Sequence, residues 1–575
     1  MLDRLSSLFA KEKTPLASLK ALHPWLKKIE LLDPSSRCGK VHDVVSDFLV
    51  TSGATSKDAL DALMELDDFA QEAYEALCYQ YISNPRMPKE LEQKLWKEIV
   101  HYARDMAEIY QRFIQADFGE ALSAQLEPVM PVIWARSLHY LGIEAKWHYF
   151  RFEKAPTKLW TLAHQLYRLS EISGADSNPF KLYQTTSVHV TSCADEYLQL
   201  LLLNSVANNN LTVRQLHTVD LWLEQWSKLL QLARKYQADV HHLCVNLQDP
   251  SGLQKISATE GVETLRYLSL HELTHGVAEI IQKLEAGTSP ASLGLGPDAR
   301  GPGTLELLKH LEVFWTMHMR NSQIQRSERV KVSKSADVLY GLDKVCRHVR
   351  ADNEKYSRQP AETKSQVDYD EIMDMRLYGF VSTRTRNRPA SGMAAAAAPQ
   401  TLQSKLPEWS TWLVENESDG GFGAHLRLSE CEWIRPGLLL GVRFDTDANW
   451  QIGIVRRLQR TSDDEVYAGV QRLSSTPVAV SLYSDTLDRL EHITVDEIGY
   501  TGHIDLKNVR TAMYIPHQID GANVNTLLMH SADYAAERIY KVQARDKVFS
   551  VSLGSLLEKG TDWIWVSVNV LRQES

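Results

Sequence analysis

The chain has 575 residues, 44% of them hydrophobic and 24% charged, with a formal net charge of -10. That composition is globular, its length suggests several domains, and its acidity argues against a protein that coats long nucleic acid. The N-terminus MLDRLSSLFAKEK has no secretory-signal pattern, and the longest aliphatic run, Leu200 to Leu203, is far too short to span a bilayer. Cys38, Cys78, Cys193, Cys244, Cys346 and Cys431 are scattered with no C-x-x-C pair. They read as free thiols of a cytoplasmic protein rather than a disulfide framework or zinc site.

The first two thirds read as helical. Leu60, Leu63, Leu66 and Phe69 place a stripe on a helix over 57–82. After Pro88, a longer helix to 114 carries Leu91, Leu95, Ile99, Tyr102, Met106, Ile109 and Phe113 at steps of three or four. A helix from Pro156 to near Gly174 is expected to bury Leu159, Leu162, Leu166 and Leu169. Two more follow over about 193–207 and 212–236, parted by Asn208-Asn209-Asn210. Such helices in series make a bundle or a short solenoid. DVHHLCVNL, at 239–247, reads as a short strand within this region.

Between about 350 and 410 the texture changes. An acidic stretch with Asp368, Asp370, Glu371 and Asp374 gives way to arginines and then to SGMAAAAAPQ, a linker. Beyond Trp409 short alternating segments, among them TWLVE, LLLGVRF, WQIGIVRRLQ, EVYAGVQRLS and VAVSLYS, suggest a small antiparallel barrel. The tryptophans Trp409, Trp412 and Trp450 suit its core, and Arg456, Arg457 and Arg460 an exposed strand face. AMYIP, NTLLMH, RIYKVQA, VFSVSLG and WIWVSVNVL form a second β-rich unit. The domain reading is therefore 1–150 and 151–350 helical, 351–408 linker with the arginine loop, 376–485 barrel, and 486–575 second β unit. The fold class is multidomain α+β, a large N-terminal all-α region followed by β units.

Two constellations carry chemistry. His271-Glu272-Leu273-Thr274-His275 matches H-E-x-x-H, which on a helix sets two imidazoles one turn apart for zinc. A catalytic zinc needs a third protein ligand, and neither downstream pattern that supplies one is present: Ala278 and Ile281 stand where glycine and histidine would, and the stretch about twenty residues on, TSPASLGLG, has no glutamate. A zinc metallopeptidase is thus a distant alternative. The second constellation is Arg384-Thr-Arg386-Asn-Arg388 followed by Asn416-Glu-Ser418-Asp-Gly420-Gly421, that is R-x-x-x-R and then N-x-S-x-x-G. From Arg376 through Arg388 there are four arginines and no acid.

This ordered pair, with Arg435-Pro-Gly437 and the strands downstream, resembles the PilZ domain, a bacterial receptor module for cyclic di-GMP. The resemblance implies a six-stranded antiparallel barrel that binds the dinucleotide through Arg384, Arg388, Asn416, Ser418 and Gly421, with Arg386 and Gly420 as further candidates. Arginine suits phosphate oxygens and guanine O6 and N7. Asn416 offers a donor and an acceptor, and Gly421 allows close approach. The resemblance further implies a non-enzymatic effector with no metal and no cofactor, cyclic di-GMP being its ligand. It would pass the signal to a protein partner through the helical region, in motility, adhesion, secretion or biofilm control. Its arginine loop, at the junction of helices and barrel, would order on binding and re-dock the barrel. A ligand-independent PilZ-like scaffold is the alternative.

Overall fold

Helical periodicity in the first half of the chain becomes helix in the computed structural model. It describes residues 14–51, 54–84, 87–116, 126–184, 190–207, 211–256, 262–296, 299, 302–319, 329–358, 409–447, 449–484, 510–519, 522–544, 547–560 and 562–574. The chain divides into two units, Met1–Ile324 and Gln325–Ser575.

The first unit contains α1 (Leu19–Ile29), α2 (Pro34–Val50), α3 (Lys57–Ser83), α4 (Lys89–Ile114), α5 (Met130–Phe150), α6 (Thr157–Ile172), α7 (Cys193–Val206), α8 (Val213–Trp226), α9 (His271–Glu285) and α10 (Pro302–Met319). Side-chain caps fix several starts. The Asp33 carboxylate accepts from Ser36 N–H before α2, and the Ser56 hydroxyl from Ala59 N–H before α3. Thr212 and Gln215 form a capping box at α8. Helix α5 carries buried apolar side chains on every side, as a helix at the centre of a bundle must. Its Ile133, Leu138, Leu141, Ala145 and Trp147 are all buried, and it packs against α4, α6, α7 and α8. It also buries Arg136 and Glu144: Arg136 pairs with Asp67 at 3.3 Å and donates to the Leu182 and Met64 carbonyls, and Glu144 accepts from Arg104 Nε at 2.9 Å.

Local expectations held in part. The α4 stripe from Leu95 to Phe113 is buried, but Leu91 in the first turn is exposed. In α6, Leu159 and Leu166 are buried while Leu169 is exposed, because Ala163, Tyr167 and Ser170 complete the inward face instead. The helix expected to run to 236 stops at Trp226: Leu232 and Ala233 are drawn into strand pairing with Leu268 and Tyr267. The short strand expected near 239–247 forms at Leu243–Asn246, and the region is not purely helical. Strands β1 (Phe180–Lys181) and β2 (Val190–Thr191) form a ribbon, and β3 (Leu232–Ala233), β4 (Leu243–Asn246), β5 (Gln254–Lys255) and β6 (Leu265–Leu268) form a sheet in the order β3-β6-β4-β5.

The second unit is built on two closed six-stranded antiparallel barrels. The first has β7 (Val330–Tyr340), β8 (Ser410–Ser418), β9 (Gly421–Arg427), β10 (Leu439–Phe444), β11 (Gln451–Arg460) and β12 (Glu465–Ser474), in the closed order β7-β8-β9-β12-β11-β10. The second has β13 (Val478–Ser484), β14 (Arg510–Ile519), β15 (Ala522–His530), β16 (Ile539–Ala544), β17 (Lys547–Lys559) and β18 (Trp563–Glu574), in the closed order β13-β14-β15-β18-β17-β16. Helix α11 (Leu342–Arg358) follows β7.

Two strand assignments differ from the sequence reading. The segment VKVSKSADVLY, within the stretch read as the second helical region, is β7 and pairs with both β8 and β10. Its lysines and serines mask an alternation that only the pairing partners reveal. VAVSLYS, read as part of the first barrel, is β13 and pairs with β14 and β16 of the second.

The two barrels share a core. Leu339, Leu439, Ile452 and Ile454 on the outside of the first meet Val345, Cys346 and Val349 of α11 and Met513, Ile515, Leu528, Trp563 and Trp565 on the outside of the second. Trp450 is buried in this shared core, whereas Trp412 is buried at the first barrel's pairing with β7. Trp563 Nε1 donates to the Gly437 carbonyl at 3.0 Å. Arg456 proves not to be a free surface charge: its guanidinium forks onto Glu558 of the second barrel and its Nε donates to Gln471 Oε1 at 2.6 Å.

Candidate functional site

The hairpin β8–β9 gathers the N-x-S-x-x-G residues. Ser418 pairs across the turn with Gly421, and Asn416 with Gly423, after a bulge that shifts the register between Val414 and Asn416. Side chains on a strand alternate between faces. Asn416 and Ser418 therefore share one face of β8, and Glu417 between them takes the other. Ser418 Oγ donates to the Gly421 carbonyl at 3.3 Å. Gly421 has φ of 153°, and a Cβ there would lie 2.0 Å from the Val470 carbonyl oxygen. Only glycine fits, so the motif's last position is demanded by the packing of β9 on β12.

The turn between them is anchored from β12. Arg472 N–H donates to the Gly420 carbonyl at 2.9 Å, and Arg472 Nη1 reaches the Asp419 carbonyl at 3.3 Å. Arg472 Nη2 also pairs with Glu417 at 2.7 Å, and Lys334 pairs with the other Glu417 oxygen at 2.9 Å. Burial alone would raise the Glu417 pKa, but the bonds from Lys334 and Arg472 outweigh it and hold the carboxyl below its ordinary range. The Glu417 bond likewise lifts the Lys334 pKa. The site is thus a platform whose half-buried carboxylate, Glu417, is held between two cations, Lys334 and Arg472.

Asn416 Nδ2 donates to Tyr467 Oη at 2.8 Å, while its Oδ1 is screened from solvent without a hydrogen-bond partner. An unserved acceptor of this kind costs about 1–3 kcal/mol. Sequence reasoning missed Tyr467, Gly423, Lys334 and Arg472. GGFG and VYAG hinted at the first two, but nothing marked Lys334, since β7 was read as part of a helical region.

Arg384, Arg386 and Arg388 lie outside the described residues, as do the acidic stretch at 368–374 and the alanine linker. Their segment is flanked by β7 and α11 on one side and β8 on the other. It is therefore an insertion within the barrel's own chain and does not join the helical region to the barrel. The H-E-x-x-H residues occupy the first turns of α9, with His271, Glu272 and His275 exposed and His242 edge-on to His271 at 4.8 Å. Among the described residues, no group of three or more His, Cys, Asp or Glu could hold a metal ion.

Two family models match the chain. Residues 20–237 match the N-terminal domain of the cyclic-di-GMP receptor FimW, and residues 248–477 match its middle PilZ domain. The chain belongs to the PilZ-domain cyclic-di-GMP receptors. The PilZ match ends just before β13, in keeping with the strand pairing that gives β13 to the second barrel. No curated protein and no solved structure gave a significant match. Among the described residues of this PilZ-domain receptor, no helix is long and apolar enough to cross a membrane.

Proposed function

We propose that this receptor reads cyclic di-GMP on the outer face of its first barrel, at the β8–β9 hairpin. Asn416 and Ser418 address a guanine edge, Gly421 keeps the backbone low, and Arg384 and Arg388 close over phosphates and purine faces. Arg386 and Gly420 are further candidates. The observation that carries this reading is the assembly of Asn416, Ser418 and Gly421 at one turn, on strands held by Arg472. The chain then acts as a cytoplasmic, non-enzymatic effector, and its helical unit presents the ligand state to a protein partner in motility, adhesion, secretion or biofilm control. Two or three charge-assisted contacts of about 1.5–3 kcal/mol each fit micromolar or tighter binding.

Calorimetry on the wild type, Arg388→Ala and Ser418→Ala tests the site. Saturable binding of cyclic di-GMP, weakened at least about tenfold by Arg388→Ala, is expected. Equal affinity in wild type and both variants would remove the assignment. Affinity capture with and without the dinucleotide tests the effector role, and the same captured proteins in both arms would favour a ligand-independent scaffold.

A further inference from the structure

Strands β11, β12, β9 and β8 lie side by side, and their registers line up one row across the barrel: Arg457↔Gly469, Gly469↔Gly423 and Gly423↔Asn416. The row shares the outer face, because a Cβ at Gly469 would lie 3.5 Å from that of Arg457, and one at Gly423 3.0 Å from Asn416 Nδ2. Two glycines thus open a trough between an arginine and the motif asparagine, three strand spacings or about 14 Å across. The Tyr467 ring lies in it. Asn416 Nδ2 donates to its Oη at 2.8 Å, and a Cβ at Gly423 would come 1.8 Å from that Oη and 2.6 Å from Cζ, so the ring is laid across β9 on the glycine. Among the described residues, no ring but the edge-on His425, with centroids 5.1 Å apart, and no cation stands against Tyr467, so its outward face is uncovered by either.

The arginines of β11 differ in what they are bound to. Arg456 is taken by Glu558, and Arg460 by the Ser462 and Asp463 carbonyls. Arg457 is exposed, and among the described residues no carboxylate pairs with it; its Nη2 donates to the neutral Gln459 Oε1 at 2.9 Å. Gln459 pairs with Tyr467 across β11 and β12, so that bond draws the guanidinium toward the tyrosine. We propose that these residues form a base subsite outside both arginine and N-x-S-x-x-G motifs: a guanine of cyclic di-GMP stacks on the outward face of Tyr467, above Gly423 and Gly469, and Arg457 forks onto its O6 and N7. This rests on the reading of the hairpin as the cyclic di-GMP site. An aromatic face takes any base, and a guanidinium fork matches the paired acceptors of guanine, which adenine lacks. Glycine at 469 keeps the space over β12 clear for the base, which a side chain there would enter.

The alternative is that Tyr467 serves only as a strut for Asn416 and Arg457 only as a surface charge. Calorimetry of the full chain with cyclic di-GMP separates the two, on wild type, Tyr467→Phe, Tyr467→Leu, Arg457→Gln, Arg457→Lys and Gly469→Val, each checked for an unchanged melting temperature. Phenylalanine keeps the stacking face and removes the hydroxyl; leucine removes the face as well. Tyr467→Leu should weaken binding about tenfold and Tyr467→Phe by no more than about threefold. Lysine keeps the charge of Arg457 without the fork, so Arg457→Lys and Arg457→Gln should each weaken binding about fivefold or more. A Cβ at Gly469 meets only Arg457, at 3.5 Å or beyond, so the strand accepts valine there while the subsite is filled; a loss of about fivefold or more is expected. Equal losses in Tyr467→Phe and Tyr467→Leu, or wild-type affinity in Arg457→Gln, Arg457→Lys or Gly469→Val, would overturn the proposal while wild-type binding stands. Absence of cyclic di-GMP binding by the wild type would instead overturn the site reading beneath it.

Discussion

The two barrels follow one plan and use it differently. Each closes six strands in the same order, with its second and third strands joined by a hairpin and its third paired to its sixth. The registers at the two hairpins correspond: Ser418↔Gly421 and Asn416↔Gly423 in the first, Ile519↔Ala522 and His517↔Val524 in the second. The second barrel thus carries H-x-I-x-x-A where the first carries N-x-S-x-x-G. Its outer face over β14, β15 and β18 holds Met513, Ile515, Leu528, Trp563 and Trp565, and that face is buried in the core shared with α11 and the first barrel. The corresponding face of the first barrel holds Asn416, Ser418, Gly423 and Tyr467. One fold therefore supplies a polar, glycine-lined platform in one copy and an apolar docking face in the other. Fold alone assigns neither role; the side chains on the outer face do.

The comparison breaks most visibly where the docking face is cut away. Trp565 is 6% exposed and donates from Nε1 to Thr526 Oγ1 at 2.7 Å. Trp565→Ala should cost about 3–5 kcal/mol, and hydrogen exchange should show protection lost in both barrels because they share that core. Loss confined to β14, β15 and β18 would mean the barrels are independent. Next comes Gly421→Ala, whose Cβ would collide with the Val470 carbonyl. It should cost about 1–3 kcal/mol in denaturant unfolding and abolish calorimetric cyclic di-GMP binding, with exchange in β16 and β17 unchanged.

Smaller effects sharpen the picture of how the barrels are joined. The Arg456–Glu558 fork is about one third exposed on each side, so Arg456→Ala should cost about 1 kcal/mol or less. In a thermal-unfolding cycle with Glu558→Gln, the two losses should fall short of additive.

The smallest effect depends on pH. His530 Nε2 bonds Asp343 of α11 at 3.0 Å. Burial alone would lower the His530 pKa, but the Asp343 carboxylate raises it above its ordinary value; the His530 bond in turn lowers that of Asp343. The histidine's contribution is complete below about pH 6.5 and is lost as pH rises through its raised value. The aspartate's contribution is present above about pH 3.9 and is lost as pH falls through its lowered value. The melting-temperature deficit of His530→Asn should therefore be largest between about pH 4 and 6.5 and fade by about pH 8. With Asp343 largely exposed, it should stay well below about 1 kcal/mol.

Much of this was legible in the chain itself. Apolar steps of three and four define α3 and α4, because a helix buries one stripe and that stripe must repeat. The N-x-S-x-x-G hairpin is also local, since its turn, glycine and polar face fall within six residues. Long-range pairing was not legible. VKVSKSADVLY has lysines and serines that mask its alternation, and only β8 and β10 make it the first strand of a barrel whose other strands lie beyond residue 409. VAVSLYS would fit either barrel, and its partners in Arg510–Ile519 and Ile539–Ala544, far downstream, decide which. Tyr467 became part of the site because β12 lies beside β9, and Gly423 leaves room for its ring to reach Asn416. Sequence thus determined the helices, the motif and the ligand class, because these depend on neighbours in the chain. Strand membership, the shared core and the partner of Asn416 were decided by tertiary structure, because hydrogen-bond ladders and buried faces join residues the chain holds far apart.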